Sequence, residues 1–179
     1  NMFFGKDAGK QNYASDAICI GIDSGLRLRK YYGATKDHDP ENINAEGNED
    51  FDGNIVYIGK QSGKYSKGSN IIGIGTNTGH NNVGDNNIYI GEEAGKTNYG
   101  NNDIFIGANA GESSEGHNNI FIGNNAGISN IGNNNCILSS NDVQINGSNN
   151  MLMGHIENSN SKLSGSYNYI SGNGNVYHK

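Results

Sequence analysis

Long apolar runs are missing from this sequence: no stretch of 18 apolar residues is available to span a bilayer as a helix, so direct membrane insertion by this segment is not expected. Positive charge is scarce as well. With a net charge of −6 and a pI near 5.2, nucleic acid is not expected as a partner, because phosphate binding takes clustered Lys and Arg that displace counterions. Only residues 26 to 30, LRLRK, gather cationic side chains, and the single proline, Pro40, lies shortly after them. The motifs of common chemistries are absent too: there is no D-x-D-x-D-G loop, H-E-x-x-H, G-x-S-x-G or P-loop.

What remains looks at first like a low-complexity polar chain, with 33% hydrophobic residues, 28 glycines and a mean hydropathy of −0.69. Periodicity overturns that impression. The phrase NNIFIGNNAG at Asn118 to Gly127 recurs upstream as NDIFIGANAG and NNIYIGEEAG. Taking the glycine after the apolar triplet as a marker, Gly59, Gly75, Gly91, Gly107 and Gly123 follow one another at a spacing of 16, as do Gly5 and Gly21. Each unit carries one apolar cluster that it cannot bury alone, and stacking lines the clusters into a continuous core. The expected fold is therefore all-β, a parallel β-solenoid of about ten coils, roughly 45 to 50 Å long at one strand spacing per coil, forming one domain over residues 1–179. Asn1 already falls within a repeat, so the sequence reads as part of something longer. Coils stacked about 4.8 Å apart would hold Cys19 and Cys136 far beyond disulfide reach, so both thiols are expected to be free.

One interruption is large. From Gly21 the next marker is Gly59, a gap of 38 where 16 is expected, so 22 residues are inserted, and the segment 26–53 is expected to leave the roll as a loop. Within it Arg27, Arg29, Lys30, Tyr31 and Tyr32 pair charge with aromatic surface, which makes them the candidate receptor-binding residues; bracing between protomers is the alternative role. After Gly123 the pattern loosens, with markers at Ser139, Gly154 and Gly172.

Alternation within the triplets separates two faces. The pairs Val56 and Ile58, Ile72 and Ile74, Ile88 and Ile90, Ile104 and Ile106, Ile120 and Ile122 share one face and are expected to form aliphatic columns inside the coil. The middle residues Phe3, Tyr57, Tyr89, Phe105 and Phe121 then point outward. A strand apolar on both faces is normally covered on both sides, so these five are the candidate interface between protomers. A sugar- or ice-binding stripe is the competing reading, although ice binding would favour regular threonine and this column has none. Asn54, Asn70, Asn86, Asn102, Asn118 and Asn134 precede the strands at a fixed offset and are expected to stack as an amide ladder.

The phrase N-x-F-I-G-x-x-A-G, followed by G-x-N before the next strand, resembles the head repeats of YadA-like trimeric autotransporter adhesins and, more closely, repeats of phage and bacterial tail-fibre proteins. The resemblance implies a left-handed β-roll assembled as a homotrimer, with adhesion or receptor binding as its role. On that basis the chain is expected to be a structural and adhesive segment of an extracellular fibre on a cell or virion surface. Its partners would be copies of itself and a host-surface glycan or protein receptor, without cofactors and without catalysis.

The alternative is a fibre-borne carbohydrate-active enzyme, a polysaccharide lyase or hydrolase, which needs two carboxylates converging on one groove. Glu92, Glu93, Glu112 and Glu115 fall in turns and need not converge. His38, His80, His117, His155 and His178 occupy different places in the repeat, so no shared metal site is expected, and Asp37, Asp39, Asp50 and Asp52 read as a solvated acidic loop.

Overall fold

The computed structural model describes residues 1–28, 53–139, 143–154 and 161–171. Among them are twelve short strands and no helix. Ten form one sheet in the order β1 (Met2–Phe4), β2 (Ala17–Ile20), β3 (Ile55–Ile58), β4 (Ile71–Ile74), β5 (Ile88–Ile90), β6 (Ile104–Ile106), β7 (Ile120–Ile122), β8 (Cys136–Leu138), β10 (Met151–Met153) and β12 (Tyr169–Ser171). The other two, β9 (Val143–Asn146) and β11 (Ser161–Ser164), pair with each other. Every pairing is parallel and in register, as in Phe105 opposite Phe121. Consecutive parallel neighbours require each connection to circle round and return one strand further along, which makes the chain a β-solenoid. On the return side a second line of parallel bridges runs through Lys67, Val83, Tyr99, Glu115, Ile131 and Asn146.

The marker glycine ends each strand for a steric reason. At Gly107 the backbone turns with φ +133°, and a Cβ there would run into the Gly123 carbonyl oxygen of the next coil. Beyond it every regular coil places two non-glycine residues in the left-handed region, as at Asn109 and Ser113, and a third at the asparagine before the next strand, as at Asn118. Short polar side chains tolerate these angles because they can bond locally. Backbone donors point alternately to the coils before and after: Gly107 N–H bonds the Ile90 carbonyl at 2.8 Å, and Gly111 N–H bonds that of Ala126 at 2.9 Å. These bonds run along the solenoid axis on all its sides.

The two strand faces are the reverse of the sequence expectation. Tyr57, Tyr89, Phe105 and Phe121 are wholly buried inside the coil, and the isoleucine pairs face outward. The reason lies in the turn after the strand. Ala94, Ala110 and Ala126 are buried beside the ring column, and Gly111 sits so close to Phe105 that a Cβ would strike the ring. In the coils of Tyr57, Tyr89, Phe105 and Phe121 one ring, with small residues opposite, fills the narrow interior, and Cys19, Ile137 and Leu152 take the same place in others. Where Gly73 leaves the column vacant, the Tyr57 ring occupies its place, within 2.5 Å of where a Cβ would be.

The coils also extend further into the interrupted region than 26–53 suggested. Leu28 is buried in the core, Arg27 N–H bonds the Lys10 carbonyl at 2.9 Å, and Gly53 accepts from Asn70 N–H at 2.7 Å. The rest of that segment lies outside the described residues.

Candidate functional site

The outward face of the ten-stranded sheet is apolar from β1 through β10 and ends at β12 in Tyr169 and Ser171. One column runs Met2, Ile18, Val56, Ile72, Ile88, Ile104, Ile120, Cys136 and Met151; the other runs Phe4, Ile20, Ile58, Ile74, Ile90, Ile106, Ile122, Leu138 and Met153. Ile18, Ile20, Ile58, Ile72, Ile74, Ile90, Ile120 and Ile122 each keep 36–40% of their surface exposed. Such residues form strands because β-branched side chains suit a pleated surface, yet none of the described residues covers them. Cys136 is half-exposed within the first column, whereas Cys19 takes the ring position inside the coil. Burial pushes the Cys19 thiol up to about 12.

Along one edge of each strand, exposed amides stack. Asn54 Nδ2 donates to Asn70 Oδ1 at 3.0 Å, and the series continues through Asn86, Asn102, Asn118 and Asn134 to Asn149 at 2.9–3.2 Å. This is the expected ladder. A second stack at a turn joins Asn109 to Asn125 at 2.9 Å and Asn77 to Glu93 at 3.3 Å.

Of the candidate receptor residues, Arg27 is described and Arg29, Lys30, Tyr31 and Tyr32 lie outside the described residues. Arg27 Nε donates to Gln11 Oε1 at 2.8 Å, and its guanidinium stands 5.5 Å from the Tyr65 ring centre. Lys64 Nζ approaches the same ring at 5.2 Å and pairs with Asp23 at 3.3 Å, while His80 meets the ring edge-on. Sequence reasoning missed the Tyr65 cluster, although Gln11, Arg27 and Tyr65 all stand six residues past a marker glycine and so had to stack.

The candidate interface residues are a correction. Tyr57, Tyr89, Phe105 and Phe121 present no surface to a partner because their rings fill the coil, and only Phe3, in the first strand, is partly exposed, at 38%. Elsewhere, Lys96 separates two carboxylates, lying 2.9 Å from Glu93 and 3.5 Å from Glu112. The hydrogen bond from Lys96 holds the Glu93 carboxyl below its ordinary value, which describes a charge-paired turn rather than an acid and a base across a groove. Among the described residues no group of three or more His, Cys, Asp or Glu is placed to hold a metal ion, and no helix is long and apolar enough to cross a membrane. Asp37, His38, Asp39, Asp50 and Asp52 lie outside them.

No family model, curated protein or solved structure matches the chain.

Proposed function

We propose that this chain is a non-catalytic, structural and adhesive segment of a homotrimeric extracellular fibre, in which three rolls meet through their isoleucine columns. The observation that carries the reading is the apolar outer face that runs unbroken over nine strands of the sheet, from β1 to β10. Twelve of its column residues keep 36–59% of their surface exposed, together on the order of 1,000 Å² per protomer, more than the few hundred Å² that monomers leave uncovered in one patch. A second copy of the same regular surface fits it well, because columns of equal pitch interdigitate along their whole length. The number three and a left-handed roll rest on the resemblance to adhesin heads and tail fibres. Attachment to a host-surface glycan or protein receptor belongs to the remaining surface, where the amide ladder and the Tyr65 corner break its uniformity.

Cys136 is a native probe of this arrangement. In a parallel trimer the three Cys136 thiols stand at one height beside the axis, so mild oxidation should link two chains of every three on a denaturing gel, and Cys136→Ser should abolish the link. Sedimentation of the unmodified protein should give three chains per particle. A stable monomer without the crosslink would sink the proposal, and an array of host glycans probed with the assembled protein tests attachment separately.

A further inference from the structure

Inside the coil, four residues before each marker, the column reads Ile55, Ile71, Asn87, Asp103, Asn119, Asn135, Asn150 and Asn168. From Asn87 onward each side-chain oxygen accepts the backbone N–H of its counterpart one coil later: Asp103 N–H to Asn87 at 2.8 Å, Asn119 N–H to Asp103 Oδ1 at 2.8 Å, then Asn135, Asn150 and Asn168 at 3.0 Å. At three positions the other half of the amide closes the coil, whereas Asn119 Nδ2 has no hydrogen-bond partner among the described residues. Asn87, Asn135 and Asn150 donate Nδ2–H to the carbonyls of Gly100, Gly147 and Gly165 at 2.8–2.9 Å.

Asp103 is the one acid in this column, and it is fully buried. Its Oδ2 stands where Asn87, Asn135 and Asn150 carry a donating nitrogen, and the matching carbonyl, thirteen residues on as Gly100 is from Asn87, is that of Gly116. A Cβ at Gly100 would touch both Asp103 Oδ2 and the Gly116 oxygen, so the two oxygens border the same small space. Two acceptors facing one another in a dry interior repel, whereas a carboxylic acid can donate as the amides do.

We propose that Asp103 is a proton-operated lock between coils, which closes the inner amide ladder when its carboxyl is neutral and loosens the contact between the β6 and β7 coils when it ionises. The groups around it are few. Asn87 faces it from the coil before, Asn98 Nδ2 donates to Oδ2 at 3.2 Å from its own coil, and Asn119 faces it from the coil after. The titratable neighbour is Tyr89, whose hydroxyl donates to Asn82 at 2.6 Å and accepts from Asn98 at 2.8 Å, and whose own ionisation is pushed well upward by burial. Burial moves the Asp103 carboxyl from an ordinary 3.8 up to about 7, against the opposing hydrogen bonds from Asn119 and Asn98. Because the folded value is the raised one, the stabilising contribution is full below about pH 4, declines as pH rises, and is lost above about pH 7.

Thermal unfolding of the full chain and of Asp103→Asn between pH 4 and 8 tests this. Histidines and surface acids are common to both, so their titration cancels in the difference. The two proteins should melt together near the acid end, and the native chain should then fall behind, its folding equilibrium weakening relative to the variant by up to about tenfold per pH unit. A difference that does not vary with pH would overturn the proposal. Should Asp103→Asn fail to fold, the carboxyl carbon resonance of Asp103 in the native chain decides: a titration midpoint near neutrality supports the lock, and one near pH 4 rejects it.

Discussion

Phe105 and Phe121 lie face to face inside the coil, their ring centres 4.9 Å apart and their planes within 4°. That spacing is the pitch of the solenoid, so the in-register backbone sets the stacking distance rather than the rings finding it for themselves.

Truncating a ring should therefore be costly. Phe105→Ala removes contacts to the Tyr89 ring on one side, 5.5 Å away, and the Phe121 ring on the other, and leaves a cavity between two coils. A loss of about 3–5 kcal/mol is expected in denaturant titration, with Phe105→Leu losing clearly less. Because the ring is internal, the defect should appear in the stability of the coil itself.

Charging the outer face should act differently. Ile104→Asp combined with Ile120→Asp leaves every interior contact in place and puts carboxylates on the apolar columns. Velocity sedimentation should show dissociated chains that retain β-sheet circular dichroism. Loss of the β signal together with association would mean that the outer isoleucines hold the coil rather than its neighbours.

Marker glycines and turn acids differ sharply in what they tolerate. Gly107→Val should be severely destabilising because of the +133° φ and the Gly123 carbonyl, while Glu92→Gln, exposed in a turn, should change the melting temperature little. Equal melting temperatures would contradict the backbone argument.

Thiol chemistry reads out the two faces directly. Cys19, buried and with its thiol pushed up to about 12, should resist a thiol reagent at pH 8 until the protein unfolds. Cys136 should react in dissociated chains and be shielded in the assembled fibre.

Much of this architecture was legible because the repeat keeps a spacing of 16 from Gly59 to Ser139: the parallel register, the free cysteines and the Asn54 to Asn134 ladder all follow from equivalent residues stacking. Which strand face is internal was not legible from alternation, since both faces of IFIG are apolar. The deciding signal stood a few residues further on, in the alanine and glycine that follow each ring, as Ala110 and Gly111 follow Phe105; small residues had to oppose the larger side chain. The inner column of Asn87, Asp103 and Asn119 escaped notice beside the outer ladder because adjacent asparagines in NN pairs look alike in sequence. Their side chains nevertheless point to opposite sides of the backbone, one to solvent and one to the interior. The Tyr65 corner needed the gap after Leu28 to be bridged before Arg27 and Tyr65 could be seen as neighbours.

The backbone hydrogen bonds along the solenoid axis bear on how a single roll carries mechanical load. Tension between its two ends pulls on those bonds head-on instead of shearing them together, so they yield one turn at a time from an end. Each turn released converts one strand spacing into a slack segment of sixteen residues, a gain of about 50 Å at full extension. A lone roll is in this sense a spring that unwinds in equal steps, and resistance to pulling has to come from chains lying alongside it.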